Sequence, residues 1–275
     1  MTEPLTIPAP TWFVGCGNMG GAILDGWRMG GLDLSPVTVI RPSGTAVEGT
    51  RVVTSADDAG ERPRLVILAF KPQKLAEIAP ELGSFLTPDT IVVSLLAGVE
   101  LATLRSRFPE ALGIVRATPN LPTAVRRGVT GLYGDLEDGP LKQQIGDLFV
   151  ALGFAMWMTD EEKLAALGAV AGAGPAYVAR FIAALAKAGM RRGLSEEIAS
   201  ILALETTLGT AWMAATKAES MESIAERVAS PKGTTQAGLD VLDRENVLDQ
   251  LVAVTIEAAV RRGAELAREA KEQHN

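Results

Sequence analysis

The sequence predicts a two-part fold: a doubly wound, mostly parallel α/β domain over residues 1–160, then an all-helical domain over 161–275. Three observations predict it. Short, continuous apolar runs recur with helix-like segments between them up to about residue 160, a glycine-rich turn follows the first run directly, and beyond 160 the chain turns to alanine- and leucine-rich helical periodicity. Continuous apolar strands separated by helices indicate a parallel sheet covered on both faces.

The strands are read at residues 12–14, 37–40, 65–70, 91–95 and 113–116, with a further one at 129–133. Residues 141–152 carry apolar side chains at helical spacing. Thr159 followed by Glu162 has the form of a capping box and opens the helical part. Ser195, before Glu196 and Glu197, starts a helix that puts Ile201, Leu204, Leu208 and Met213 on one face. Ser220 caps a short helix ending by Val228, the loop 230–235 interrupts, and a long helix closes the chain over 247–269. A helical half rich in Ala and Gly, with no sheet of its own, completes its core against a second copy, so a homo-oligomer is expected.

A chain of 275 residues that is 47% hydrophobic can bury a substantial core. Its formal charge of -7 argues against a nucleic-acid partner, which needs clustered cations. The single cysteine, Cys16, excludes an internal disulfide and a cysteine-built metal site, and no metal is expected. The one histidine is His274. Without the usual general bases and nucleophiles, any catalysis borrows its chemistry from a cofactor. Residues 1–10 lack the pattern of a signal peptide, and the longest uncharged stretch that suggests a membrane span, residues 164–179, is shorter than the roughly 18 to 20 residues that span a bilayer. A cytoplasmic protein with no membrane partner is expected.

After the first apolar run comes Gly15-Cys16-Gly17-Asn18-Met19-Gly20, then a helical pattern through Ala22, Ile23 and Trp27. This is G-x-G-x-x-G between a strand and a helix, the Rossmann context for a dinucleotide. Gly15 permits the turn, Gly17 lets backbone approach a pyrophosphate, and Gly20 lets helix pack on strand. Cys16 reads as an occupant of a spacer position. The second strand ends in Arg41-Pro42-Ser43 where an acidic residue would mark NAD. Arg41 and Ser43 suit a 2′-phosphate, which makes NADPH the expected cofactor and NADH the alternative; a solvated arginine is the other reading of Arg41. Ala69-Phe70-Lys71-Pro72 and Ser94 through Ala97 and Gly98 fall at strand C-termini and should edge the cofactor, with Lys71 adding charge near ribose or phosphate. The loop Ser230-Pro231-Lys232-Gly233-Thr234-Thr235 leads into a helix and would present free amides to a carboxylate, or its threonines simply cap that helix.

Six segments in order resemble the pyrroline-5-carboxylate reductase family over nearly the whole chain: 13–20, 69–72, 94–98, Arg116-Ala117-Thr118-Pro119-Asn120, Gly172-Ala173-Gly174-Pro175-Ala176-Tyr177 and 230–235. The resemblance implies a Rossmann domain followed by a helical dimerisation domain, dimers assembled into rings, and an active site shared between subunits. It implies reduction of 1-pyrroline-5-carboxylate to L-proline by NAD(P)H, Asn120 among the cofactor contacts, and a loop that closes on the substrate. In that loop Ser230, Lys232, Gly233, Thr234 and Thr235 would bind the substrate, and Thr235 would hydrogen-bond the ring nitrogen as the catalytic residue. The chain departs from the family pattern at Lys232, which replaces a glycine, and at Ala229, Ala173 and Ala183. A β-hydroxyacid dehydrogenase would need a lysine in the helix over 168–180, which has none. A reductase of another cyclic imino acid, and a non-catalytic NADP-binding sensor, are the remaining alternatives.

Overall fold

A computed structural model of the chain describes residues 4–272. His274 lies outside them. Two compact units emerge, one running to Ala173 and resuming from Ala259, the other Gly174–Ala258.

The first unit is built on one eight-stranded sheet in the order β3-β2-β1-β4-β5-β6-β7-β8. Its strands are β1 (Thr11–Val14), β2 (Val37–Ile40), β3 (Arg51–Val53), β4 (Leu65–Leu68), β5 (Ile91–Ser94), β6 (Gly113–Pro119), β7 (Gly128–Gly134) and β8 (Gly153–Trp157). Helices α1 (Asn18–Met29), α2 (Leu75–Gly83), α3 (Leu101–Arg107) and α4 (Pro140–Val150) cover it. Only β7 runs antiparallel to its neighbour β6; the other pairs are parallel. The expected doubly wound, mostly parallel α/β architecture is the one observed.

The apolar runs of the sequence are continuous because both sheet faces are buried. Phe13, Val39, Ile67, Val93 and Val115 point to one side and pack with Ile23, Trp27 and Phe149. Trp12, Val14, Val66, Leu68, Val92 and Ile114 point to the other and pack with Leu75, Ala79, Leu82 and Leu104. The Trp27 indole N–H donates to the Leu148 carbonyl at 2.7 Å, joining α1 to α4 inside the core.

Two strands escape the sequence reading. β3 is three residues long at one edge, and β8 forms the other edge with Phe154 and Met156 exposed, so neither shows a continuous apolar run. The capping box is also corrected. Asp160, not Thr159, caps α5 (Glu161–Leu167): its carboxylate accepts from the Lys163 amide at 2.8 Å, and Thr159 hydrogen-bonds that carboxylate from outside.

α5 continues through a π-helical turn, Gly168–Gly172, toward α6 (Gly174–Met190). The length argument against a membrane span therefore does not hold. Glu161–Met190 and Glu196–Lys217 are both long and apolar enough to cross a bilayer by length and composition.

The second unit contains α6, α7 (Glu196–Lys217), α8 (Met221–Val228) and α9 (Thr234–Leu242), and α10 (Val247–Glu272) begins in it. Ser195 and Ser220 cap α7 and α8 as expected, accepting from the amides of Ile198 and Ser223. The buried residues of this unit are few: Ala186, Ala199 and Ala203, with Ile182 against them, and Ile224 on α8.

Candidate active site

The strand order reverses at β1, where crossovers leave on opposite faces and open a crevice beyond the strand C-termini. The glycine-rich turn stands there. Gly15 has φ +79°, and a Cβ on it would lie 2.8 Å from the Ala69 carbonyl oxygen. A Cβ on Gly20 would lie 2.9 Å from the Phe13 ring and 3.3 Å from Ala69, so this glycine sets how closely α1 packs on the sheet. Gly17 is different. It caps α1 without any side-chain hydrogen bond, and a Cβ there would meet nothing within 4 Å. The first amides of α1, from Asn18, Met19 and Gly20, have no acceptor within the helix and stand at its positive end beside the open space at Gly17. A diphosphate fits this cradle, because it supplies acceptors and negative charge without displacing protein atoms.

On one side of the turn, a hollow of about 230 Å³ is lined by Gly15, Pro42, Thr54, Ser55, Phe70 and Lys74, among others. Arg41 and Ser43 stand in the tight turn after β2, closed by the Gly44 amide donating to the Arg41 carbonyl at 3.1 Å. Ser43 accepts from the Thr45 hydroxyl at 3.0 Å. Burial raises the Cys16 thiol above its ordinary pKa, Arg41 pulls it down, and Asp25 adds to the rise. Cys16 is thus a poor thiolate.

On the other side, a cleft of about 850 Å³ is lined by Met19, the loop from Ser94 to Gly98, Arg116 to Pro119, and residues of α5 and the π-turn. The Ser94 hydroxyl accepts from the Leu96 amide at 3.2 Å, and Gly98 takes φ +76°, which together fix the bend of this loop.

The expected cofactor residues therefore divide. Gly15 and Phe70 line the small hollow; Met19, Ser94, Ala97 and Gly98 line the large cleft. Gly17, Asn18 and Gly20 lie between as the start of α1, and Ala69 buttresses the glycine turn. Lys71 is exposed and caps the short 3-10 turn Pro72–Lys74. Asn120 is buried, and its side-chain amide is spent on structure: it donates to the Ala171 carbonyl at 2.9 Å and accepts from the Val129 amide at 2.8 Å. Thr54, Ser55 and Lys74 were missed, since Thr54 and Ser55 follow the unread strand β3. Arg116 and Glu161, an ion pair on the wall of the cleft, were missed as well.

In the helical unit, Ser230 to Gly233 form a β-turn closed by the Gly233 amide donating to the Ser230 carbonyl at 2.9 Å. Lys232 occupies its third position with φ +61°, a left-handed conformation that glycine adopts without strain. Gly233 caps α9 with no side-chain bond. Neither threonine is the cap: Thr234 and Thr235 are the first two residues of the helix, and their hydroxyls make no hydrogen bond among the described residues.

This geometry has close counterparts. A family model described as pyrroline-5-carboxylate reductase dimerisation matches residues 161–266, and one described as NADP oxidoreductase, coenzyme F420-dependent, matches residues 12–98. A pyrroline-5-carboxylate reductase of Pseudomonas aeruginosa is 35% identical over 265 residues, covering 93% of this chain and 96% of its own. The chain belongs to the pyrroline-5-carboxylate reductase family. A solved reductase of this name from Coxiella burnetii superposes with a TM-score of 0.85 at 30% identity, over 95% of this chain and 99% of that one. The pyrroline carboxylate reductase of Plasmodium falciparum, solved with NADP bound, shares the fold at a TM-score of 0.84 and 23% identity, over 96% and 100% of the two chains. The region matched by the dimerisation model takes in all of α5 to α9.

Proposed function

We propose that this chain is an NADPH-dependent reductase of 1-pyrroline-5-carboxylate, forming L-proline. The observation that carries the reading is the uncapped start of α1 behind Gly15 and Gly17, set in a chain that matches reductases of this name along nearly their whole length. When bound, the nicotinamide supplies the hydride that reduces the imine carbon. The chain's own part is placement. The amides of Asn18, Met19 and Gly20 hold the diphosphate, Arg41 and Ser43 hold the 2′-phosphate, and the loop from Ser94 to Gly98 edges the nicotinamide end of the cleft.

The substrate carboxylate is received by the amides that follow Ser230, with the Lys232 ammonium adding charge. Thr235, whose hydroxyl is unspent on the helix, orients the ring nitrogen by a hydrogen bond. No histidine or cysteine is needed, because a protonated imine is already electrophilic and the reaction gains from alignment.

The enzyme works in the cytoplasm as a homodimer, with dimers further assembled into a ring. Phe181, Leu185, Leu204, Leu208 and Trp212 are exposed in a single chain, and a second copy covers these apolar helices in place of lipid. The test is the loss of NADPH absorbance with 1-pyrroline-5-carboxylate, run beside its six-membered homologue. Turnover of the five-membered ring is expected. Turnover of the larger ring alone would reassign the substrate, and tight NADPH binding without imine turnover would leave a cofactor-binding protein.

A further inference from the structure

The Arg116–Glu161 ion pair lies on the wall of the large cleft. Arg116 is on β6 with its side chain 15% exposed, and Glu161 is the first residue of α5 with its side chain 30% exposed. The same Glu161 carboxylate oxygen, Oε1, accepts from Arg116 Nη1 and from the backbone amide of Leu101, the latter at 2.9 Å. Leu101 is the first residue of α3, whose own cap residue, Glu100, makes no side-chain capping bond. Glu161 therefore caps α3 from a distant part of the chain.

The consequence falls on the loop between β5 and α3. Its start, Ser94, lies in register with Arg116 across β5 and β6, and its end, Leu101, is bonded to Glu161. One ion pair thus spans both ends of the loop that walls the large cleft. The anchor itself is held in place, because Asp160 caps α5 through the Lys163 amide one residue before Glu161.

We propose that Glu161 and Arg116 are positioning residues, a clamp that fixes the Ser94–Gly98 loop against the nicotinamide end of the cofactor. That placement of the nicotinamide rests on the function proposed above. A loop that borders reacting atoms controls rate through alignment, and a displacement near 1 Å costs on the order of 100-fold. The diphosphate cradle at Gly17 lies outside the clamp and does not depend on it.

Two variants test this, Glu161→Ala, which loses both bonds, and Glu161→Gln, which keeps an acceptor for the Leu101 amide without the charge. Amide hydrogen exchange over residues 94–101 is read together with kcat and with NADPH affinity by fluorescence titration. In Glu161→Ala, exchange in this segment should rise about 10-fold or more while residues 15–20 stay protected. Its kcat should fall about 10-fold or more with the NADPH Kd held within about threefold, and Glu161→Gln should fall between it and the parent. If Glu161→Ala does not fold, Glu161→Gln carries the same comparison. Unchanged exchange over 94–101 overturns the clamp. So does faster exchange with kcat within about twofold of the parent, or a Kd that rises in step with the loss of kcat. A parent protein that reduces no imine would remove the proposed substrate instead, and the exchange measurement would still decide whether the clamp holds the loop.

Discussion

Gly15 and Gly17 lie two residues apart in one turn, yet the structure assigns them opposite sensitivities. Gly15→Ala places a Cβ 2.8 Å from the Ala69 carbonyl oxygen and 3.0 Å from Phe70 Cβ, at a residue with φ +79°. The left-handed backbone costs about 1–2 kcal/mol for an L-residue. Forcing a methyl against a fixed neighbour costs about 1–3 kcal/mol more. Ala69 cannot give way, because its amide donates to the Val14 carbonyl at 2.8 Å within the sheet. A loss of roughly 2–5 kcal/mol of folding stability is expected. Gly17→Ala meets nothing within 4 Å and has φ -87°, ψ -161°, so its effect on folding stays below about 1 kcal/mol. Its methyl instead stands where, on the proposed function, a phosphate approaches the α1 amides. Each charge-assisted bond lost there is worth about 1.5–3 kcal/mol, or roughly 10- to 100-fold in Kd. Denaturant melts and NADPH fluorescence titrations on both variants make the comparison. A Gly17→Ala protein that binds NADPH within about twofold of the parent, or a Gly15→Ala protein that melts with it, would refute the reasoning.

Other perturbations separate the remaining roles. Arg41→Ala should raise the KM for NADPH about 10- to 100-fold and that for NADH by under about threefold, in parallel steady-state assays; equal effects on both would deny it the 2′-phosphate. Thr235→Val should lower kcat about 10- to 100-fold with the NADPH Kd unchanged, as measured by turnover and titration, because it removes one hydrogen bond to the reacting ring. Asn120→Ala should cost about 2–4 kcal/mol in a denaturant melt, since the Val129 amide and the Ala171 carbonyl both lose their buried partner. Asp160 is held at a pKa of about 2, below its ordinary 3.8, by the Lys163 amide first and by the Lys163 and Thr159 side chains. A depressed carboxylate stabilises the fold above its unfolded pKa and loses that effect as pH falls through the folded one. The Tm gap between the parent and Asp160→Ala should therefore be full at pH 7 and shrink between about pH 4 and pH 2.

What could be read from the sequence was what a single residue type must do locally. Gly15 and Gly20 were legible because positive φ or close backbone approach leaves room for no other residue. Ser195 and Ser220 were legible because a cap is settled within a few residues. Thr159 and Asp160 can both cap, and only the backbone angle decides between them, so the reading slipped by one residue. β3 and β8 were illegible because edge strands bury one face or less and show no continuous run. The motif containing Asn120 was visible, but not that its amide bridges β7 and the π-turn, which depends on chain brought together across the fold. The Arg116–Glu161 pair was illegible for the same reason, since nothing in a charge pattern says which arginine on a strand meets which glutamate on a later helix.

The two units divide the work of folding unequally, and the division bears on function. The α/β unit fills both faces of its sheet with large side chains and is stabilised by its own core. The helical unit has only three alanines in its buried cluster, while Phe181, Leu204, Leu208, Trp212 and Leu251 remain open to solvent in a single chain. So much exposed apolar surface marks an interaction surface. The alanines let α6 and α7 approach closely and leave the large residues facing outward, for a second copy to cover on the function proposed above. Thr235 and the Ser230–Gly233 turn are carried by this unit, so on the proposed function the substrate loop rests on a scaffold that a second copy would complete. On the function proposed above, folding of the helical unit and assembly of the substrate site are one concentration-dependent event, which would offset the strain of a left-handed Lys232.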